Sequence, residues 1–272
     1  MLFPNHLVLI RGGGDLATGV AYRLHKAGFP IVVLELARPL VIRRRVALAT
    51  AVLEGHVTIE DLHAQLVPTP QDALSLAPTG TIPVLIAPHL QTSQFIIHNS
   101  PFTIVDARLA KRNIDTHIHQ AGLVIALGPG FSAGLDCHAV IETMRGHSLG
   151  RVIWHGPTLP NTGTPGVIAG KGAERVLRAP AAGVVEWRRD IGDLAGAGEV
   201  IGEVAGQPVR APFDGVIRGL IAPGTAVPPH LKIGDIDARA DAAACFTISD
   251  KALAIGGGVL EAVLTHLNRN KF

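Results

Sequence analysis

The chain has 272 residues, 47% of them hydrophobic and only 17% charged, with a formal net charge of +2 when the histidines are neutral. Against a usual charged share of about 25%, this excludes a disordered charged chain. The small net charge also excludes an electrostatic footprint for nucleic acid. Twelve of the 31 glycines fall in residues 1–149 and nineteen in residues 150–272, which predicts two architectures in one chain. Eighteen of the 24 cations are arginine, a bias that suits planar recognition of anions.

The first residues, LVLIR at 7–11, read as a short buried strand that runs into Gly12-Gly13-Gly14. Leu16, Val20, Leu24 and Ala27 recur at helical spacing, with Gly28 as a C-terminal stop, and IVVLEL at 31–36 is a second strand. Strand, glycine turn, helix and strand form a βαβ unit. Further strands read at 83–87, 103–106, 123–127 and 151–155, and helical segments at 46–54, 57–66 and 134–146. Six short strands interleaved with helices predict an α/β fold, a Rossmann-like doubly wound sheet over residues 1–155.

Residues 156–175 are rich in glycine and proline and read as a linker. Residues 178–204 and 210–236 then repeat at an offset of 32: Arg178-Ala179-Pro180 matches Arg210-Ala211-Pro212, Gly192 matches Gly224, and Ile201-Gly202 matches Ile233-Gly234. Ser249 opens a final helix through about Leu267. The Gly256-Gly257-Gly258 run inside it costs roughly 1 kcal/mol per glycine relative to alanine, so either a backbone approaches closely there or the helix breaks.

Two glycine loops carry the chemistry. Gly12-x-Gly14-x-x-Ala17 lies between a strand and a helix, where backbone amides and the helix N-terminus suit a pyrophosphate. Glu35, at the end of the next strand, would accept hydrogen bonds from ribose hydroxyls. Asp15 is an oddity beside such a cradle unless it caps the helix or meets a metal or a base. The second loop, Gly128-Pro129-Gly130 with Phe131, follows the strand LVIAL, and its aromatic ring either stacks on a ligand or packs inward. Arg43 and Arg44, in an Arg43-Arg44-Arg45 run, could grip phosphate bidentately. They would take the 2′-phosphate of NADP, although Glu35 argues against that ligand.

Weaker signals are set aside. His117-Ile118-His119 has no supporting ligand set, so no metal site is assigned. Cys137, beside His138, reads as a semi-buried thiol more readily than as a reactive one. Two cysteines without CxxC spacing exclude a disulfide scaffold and make a cytoplasmic setting the default. No apolar run reaches 18 residues, so no membrane partner is expected.

The stretch APAAGVV…IGD…GEVIGEV…APFDGVIRG…PGT resembles the biotinyl/lipoyl carrier fold, a barrel-sandwich hybrid. The turn that bears a lysine in those carriers reads Val204-Ala205-Gly206-Gln207-Pro208-Val209 here, so neither biotin nor lipoate is expected. The predicted organisation is a nucleotide-binding domain at 1–155, a linker at 156–175, a biotinyl/lipoyl-like β module at 176–245 and, at 246–272, a C-terminal helix packing back on the α/β domain.

Across nearly the whole chain GGGDLATGVAYRL, ELARPLVIRRRVA, ALGPGFSAG, ETMRGHSLGRVIWHG, PNTGTPG, KIGDIDAR and ISDKALAIGGGVLEAVL resemble one family. It is the accessory protein of selenium-dependent molybdenum hydroxylase systems, also described as a molybdenum cofactor biosynthesis protein. Where the family usually reads Asp-Val-Asp-Pro-Arg, this chain has Asp235-Ile236-Asp237-Ala238-Arg239.

The resemblance implies maturation of a molybdenum hydroxylase, with the apoenzyme or other cofactor-biosynthesis proteins as partners. The expected ligand is a nucleotide-type small molecule, either molybdopterin dinucleotide or NAD(P), held by Gly12, Gly13, Gly14, Asp15, Glu35, Arg43, Arg44, Gly128, Pro129, Gly130 and Phe131. Two alternatives stand beside this reading: an NAD(H)-dependent oxidoreductase and a docking scaffold. No catalytic residue is assigned, although Asp106, Lys111 and Lys251 are conceivable proton donors, and a homo-oligomer stays open.

Overall fold

The structure is a computed structural model that describes residues 1–95, 102–164, 166–167 and 169–269. Pro165 and Ile168 of the expected linker and residues 270–272 of the C-terminal segment lie outside the described residues. The chain divides into two compact units. Unit 1 comprises Met1–Pro39, Ala47–Asn161 and Ile248–Phe272; unit 2 comprises Leu40–Val46 and Thr162–Thr247.

Unit 1 begins β1 (Leu7–Arg11), α1 (Asp15–Lys26) and β2 (Ile31–Glu35), and the two strands pair in parallel. Both strands are buried along their whole length, which is why they read as continuous apolar runs rather than alternating ones. There follow α2 (Thr50–Glu54), β3 (His56–Ile59), β4 (Leu62–Val67), α3 (Pro70–Leu76) and β5 (Ile82–Ile86). Next come β6 (Phe102–Asp106), β7 (Leu123–Leu127), β8 (Ser132–Ala133), β9 (Ala139–Ile141), β10 (Val152–Ile153) and β11 (Gly156–Pro157).

One nine-stranded sheet takes the order β10-β9-β7-β6-β1-β2-β5-β4-β3. Its seven inner strands run parallel, while β10 and β3 are antiparallel edges. One face carries a core of Leu9, Val32, Leu34, Ile104, Val124 and Val140.

Unit 2 holds β12 (Val176–Arg178), β13 (Gly183–Trp187), β14 (Leu194–Ala195), β15 (Val200–Val204), β16 (Gln207–Arg210), β17 (Gly215–Leu220), β18 (Ala226–Val227) and β19 (Lys232–Asp237). They form two four-stranded antiparallel sheets, β12-β19-β17-β14 and β16-β15-β13-β18. Each sheet mixes strands of both repeats, so neither repeat can close its core alone; Val185, Ile201, Ile217 and Ile233 fill the shared interior. The hairpin from β15 to β16 turns through Ala205 (φ 49°) and Gly206 (φ 75°), the pair of positive φ values that a tight two-residue turn needs.

The expected architecture is corrected by these sheets. The connections from β5 to β6, β6 to β7 and β7 to β9 carry no α-helix among the described residues, and both edges of the large sheet are antiparallel. The chain is a strand-dominated mixed α/β fold with one nine-stranded mixed sheet and several antiparallel ones. It is not a Rossmann-like doubly wound sheet followed by a biotinyl/lipoyl-like barrel-sandwich hybrid.

Two predicted helices are also strands. Residues 57–66 fall in the β3–β4 hairpin, whose turn includes Glu60 at φ 53°, and residues 134–146 contain β9. A helix that the sequence reading lacks, α3, starts at Thr69, whose hydroxyl accepts from the Asp72 amide 3.1 Å away.

The last element, α4 (Asp250–Arg269), belongs to unit 1 and packs on α1. The stretch at 243–269 that contains it is, among the described residues, long and apolar enough by length and composition to cross a membrane. Its Ala252, Ile255, Val259, Ala262 and Val263 are buried inside the protein.

Candidate functional site at the carboxyl edge of the parallel strands

The parallel strands of unit 1 end together, bringing Arg11, Glu35, Asp106 and Gly128 to one edge of the sheet. From β1 the order proceeds to β2 on one side and to β6 on the other, and open α/β sheets bind ligands outside the carboxyl ends at such a divergence.

The first glycine loop is shaped largely by the protein's own backbone. The Gly12 amide donates to the Leu34 carbonyl (2.8 Å), and a Cβ there would sit 3.1 Å from Arg108 Cα. The Gly13 amide donates to Glu35 Oε2 (2.7 Å), while its face is met by the Ala49 backbone, 2.7 Å from where a Cβ would stand. The other carboxylate oxygen, Oε1, accepts from the Leu36 amide (2.7 Å). Glu35 is therefore a buried tie between the strand end and the glycine turn. The amides of Gly12 and Gly13 are thus both engaged within the protein.

Helix α1 begins just beyond them. Thr18 makes the first intrahelical bond, to the Gly14 carbonyl (2.9 Å), so the first-turn amides before it have no helical partner. Gly14 is the N-cap and Asp15 the first helical residue.

The second loop opens no helix. Gly128 (φ 73°) is pressed against Thr143, whose Oγ1 lies within 2.4 Å of where a Cβ would be. Gly130 (φ 104°) is pressed against the Arg112 backbone, and Pro129 between them is half-buried. Phe131 points into the core beside Ala126, Cys137 and Val140, so its ring is not available for stacking on a ligand. Burial pushes the Cys137 thiol up to about 12, which removes it as a nucleophile.

Between the loops lies a network that the sequence reading missed. Arg11, 3% exposed at the end of β1, donates to Asp115 (2.9 Å) and Thr116 Oγ1 (3.1 Å). Arg108 donates from Nε and Nη2 to the two oxygens of Asp106 (3.0 and 2.6 Å) and from Nη2 to Asp115 (2.7 Å). The Thr116 hydroxyl donates to Asp106 Oδ2 (2.6 Å). Burial alone would raise the Asp106 carboxyl, but Arg108 and Thr116 hold it below the usual carboxylate range. Asp106 is thus an ionised anchor and not a proton donor. Its signal in the sequence is charge at the carboxyl ends of two apolar strands, LVLIR and TIVD. Lys111, also conceivable as a donor, is exposed at φ 60°.

Further along the edge, Glu142 is buried and accepts from the amides of Met144 (2.7 Å) and Leu159 (2.8 Å). Arg145 makes a two-pronged bond to Asp250 (2.8 and 2.9 Å) at the start of α4, and Lys251 follows.

The arginine run belongs to unit 2. Arg44, 8% exposed, donates from Nε to the Leu220 carbonyl (2.7 Å) and reaches Asp190 at 3.5 Å; Arg45 pairs with the same carboxylate at 2.6 Å. Arg43 donates to the Ala244 carbonyl (3.2 Å). Arg43 and Arg44 staple residues 40–46 to the antiparallel sheets of unit 2.

No family model matches the chain. It is 48% identical over 269 residues to uncharacterized protein YqeB of Escherichia coli (strain K12), an alignment covering 97% of this chain and 49% of that protein. The chain thus spans about half the length of the curated relative it matches. Among solved structures, it is similar to an aspartoacylase family protein of Mesorhizobium loti, with 10% identity, coverage of 85% and 84% of the two chains and a TM-score of 0.25. The product-bound ectoine utilization protein EutE of Ruegeria pomeroyi gives 11% identity, coverage of 85% and 57% and a TM-score of 0.23. Likenesses at these TM-scores carry no argument.

Proposed function

We propose that this chain is an accessory factor in maturing a selenium-dependent molybdenum hydroxylase, working in the cytoplasm with the apoenzyme or other cofactor-biosynthesis proteins. On this reading it binds a nucleotide-bearing ligand, a molybdopterin dinucleotide or a related nucleotide, at the carboxyl edge of the parallel strands. The observation that carries the ligand class is the start of α1. Gly14 and Asp15 open a twelve-residue helix at the strand divergence, its first-turn amides lack helical partners, and Glu35 closes the turn behind them. The hydroxylase assignment is supported by the seven sequence stretches of the resemblance.

Titration of the full chain with nucleotides and with molybdenum cofactor tests the reading. Gly14→Asp is the control, because Gly14 sits at φ −67° and ψ 179°, a conformation open to any L-residue. Saturable binding in the parent and its loss in the variant are expected. No saturable binding, or binding indifferent to the substitution, overturns the reading.

A further inference from the structure

Arg11 ends β1, and Arg108 follows the end of β6, the strand paired beside it. Their guanidiniums converge on one carboxylate. Arg11 Nη2 lies 2.8 Å from Asp115 Oδ1 and 2.9 Å from Oδ2, and Arg108 Nη2 lies 2.7 Å from Oδ1. The charges differ in access: Arg11 is 3% exposed and Asp106, the second carboxylate on Arg108, 1%, whereas the Asp115 side chain is 39% exposed. Among the described residues Arg11 forms its ion pair with Asp115 alone. The buried guanidinium therefore has a charged partner that is open to solvent. The loop backbone does not depend on that carboxylate. Gln120 Nε2 donates to the Asp115 carbonyl (2.9 Å), and Asn113 accepts from the Thr116 amide (2.8 Å) and donates to the Thr116 carbonyl (2.8 Å). Rotation of the Asp115 side chain alone uncovers both guanidiniums.

We propose that Arg11 and Arg108 form the subsite for a phosphate group of the ligand, and that Asp115 occupies it in the free protein until the ligand displaces it. This rests on the anion-binding reading above and adds two side chains to it. Two guanidinium forks match the oxygens of a phosphate as they match those of a carboxylate, and the phosphate brings more charge. A buried guanidinium cannot be left unpaired, so Asp115 leaves only when another anion takes its place. Half-exposed, the Asp115 carboxylate is screened by water, which makes it the replaceable member of the network. Asp106 and Thr116 stay behind and orient the forks: Asp106 holds Nε and Nη2 of Arg108, and the Thr116 hydroxyl accepts from Arg11 Nη1 while donating to Asp106.

The test uses Asp115→Ala in the full chain, with inorganic pyrophosphate as probe and malonate as its carboxylate counterpart, followed by calorimetry. Sodium chloride at matched ionic strength controls for screening. Removal of the internal competitor is expected to tighten pyrophosphate about tenfold or more over the parent. The urea midpoint of Asp115→Ala should fall in buffer and recover with pyrophosphate but not with chloride. Arg108→Gln added to Asp115→Ala should abolish the gain in affinity. Asp115→Asn keeps the side-chain volume and carries the same comparison if the alanine variant does not fold. An Asp115 variant that binds pyrophosphate no better than the parent, or whose lost stability pyrophosphate does not return, makes the pair structural and the inference fails. Tightening by malonate alone overturns the phosphate assignment. If nucleotide binding is lost in Gly14→Asp but unchanged in Asp115→Ala, the inference fails and the anion-binding reading stands. If neither parent nor Asp115 variant binds nucleotide or pyrophosphate, both fall.

Discussion

Gly256 of α4 lies so close to Gly19 of α1 that a Cβ on Gly256 would stand 2.2 Å from the Gly19 carbonyl oxygen. The reverse holds too, since a Cβ on Gly19 would meet the Ala252 carbonyl at 2.3 Å. Gly258 is equally tight, 2.1 Å from the Gly150 carbonyl oxygen, whereas Gly257 between them faces open space. The glycine run therefore does not break α4. Two of its members let backbones touch, and the third only weakens the helix.

Alanine scanning of the run should separate these roles. Gly257→Ala is expected to stabilise by about 0.5–1 kcal/mol through helix propensity. Gly256→Ala and Gly258→Ala should each destabilise by about 1–3 kcal/mol, because backbone carbonyls cannot rotate aside as side chains do. Urea midpoints check the order; equal effects at all three positions would refute it.

A second prediction concerns acid. His6 is 6% exposed, with its Nε2 2.8 Å from Thr103 Oγ1 and its Nδ1 unpaired. Burial, with a smaller push from His266, lowers its pKa to about 4. The unfolded chain takes up a proton near pH 6.5 and the folded chain does not until about 4. Stability is accordingly full above pH 6.5 and falls as the pH drops through that window, by on the order of 3 kcal/mol. His6→Gln should flatten the slope of unfolding free energy between pH 7 and 4.5. An unchanged slope would mean that another group carries the proton.

The strands legible in the sequence are those buried along their whole length. Leu7–Arg11 and Leu123–Leu127 each run into a glycine turn and are buried throughout, so an apolar run of strand length defines them. Residues 57–66 misled because Ile59, Leu62 and Leu66 also fit a helical spacing; Glu60 at φ 53° makes the turn that decides for a hairpin. The Arg11–Asp115 and Arg11–Thr116 contacts join residues more than a hundred positions apart. No spacing rule reaches that far, and the pairing exists only once β6 lies beside β1.

Glu35 should behave as a structural tie. Glu35→Ala leaves the buried Gly13 amide without an acceptor, an expected loss of about 1–3 kcal/mol, while the amide of exposed Leu36 can turn to water. Glu35→Gln keeps one acceptor oxygen and should lose roughly half as much. A Glu35→Ala variant as stable as the parent, with only ligand affinity altered, would show instead that the carboxylate is held for the ligand.

Arg44 offers the sharpest separation between what its sequence context suggests and what it does. Its Nε binds the Leu220 carbonyl at 2.7 Å, and its guanidinium shares Asp190 with Arg45. The carbonyl bond is largely buried and the Asp190 pair half-exposed, so most of the stabilisation comes from the former. Lysine has no counterpart of the Nε–H that reaches Leu220 while a second nitrogen holds a carboxylate, so Arg44→Lys should destabilise almost as much as Arg44→Ala, by about 1–3 kcal/mol. Trp187 reports on this region, since its indole donates to the Ile221 carbonyl at 2.8 Å. In a Trp154→Phe background it is the sole tryptophan. Its fluorescence transition in urea should move to lower concentration in both Arg44 variants. An Arg44→Lys midpoint equal to that of the Trp154→Phe parent would show that positive charge alone, and not the fork of the guanidinium, holds residues 40–46 in place.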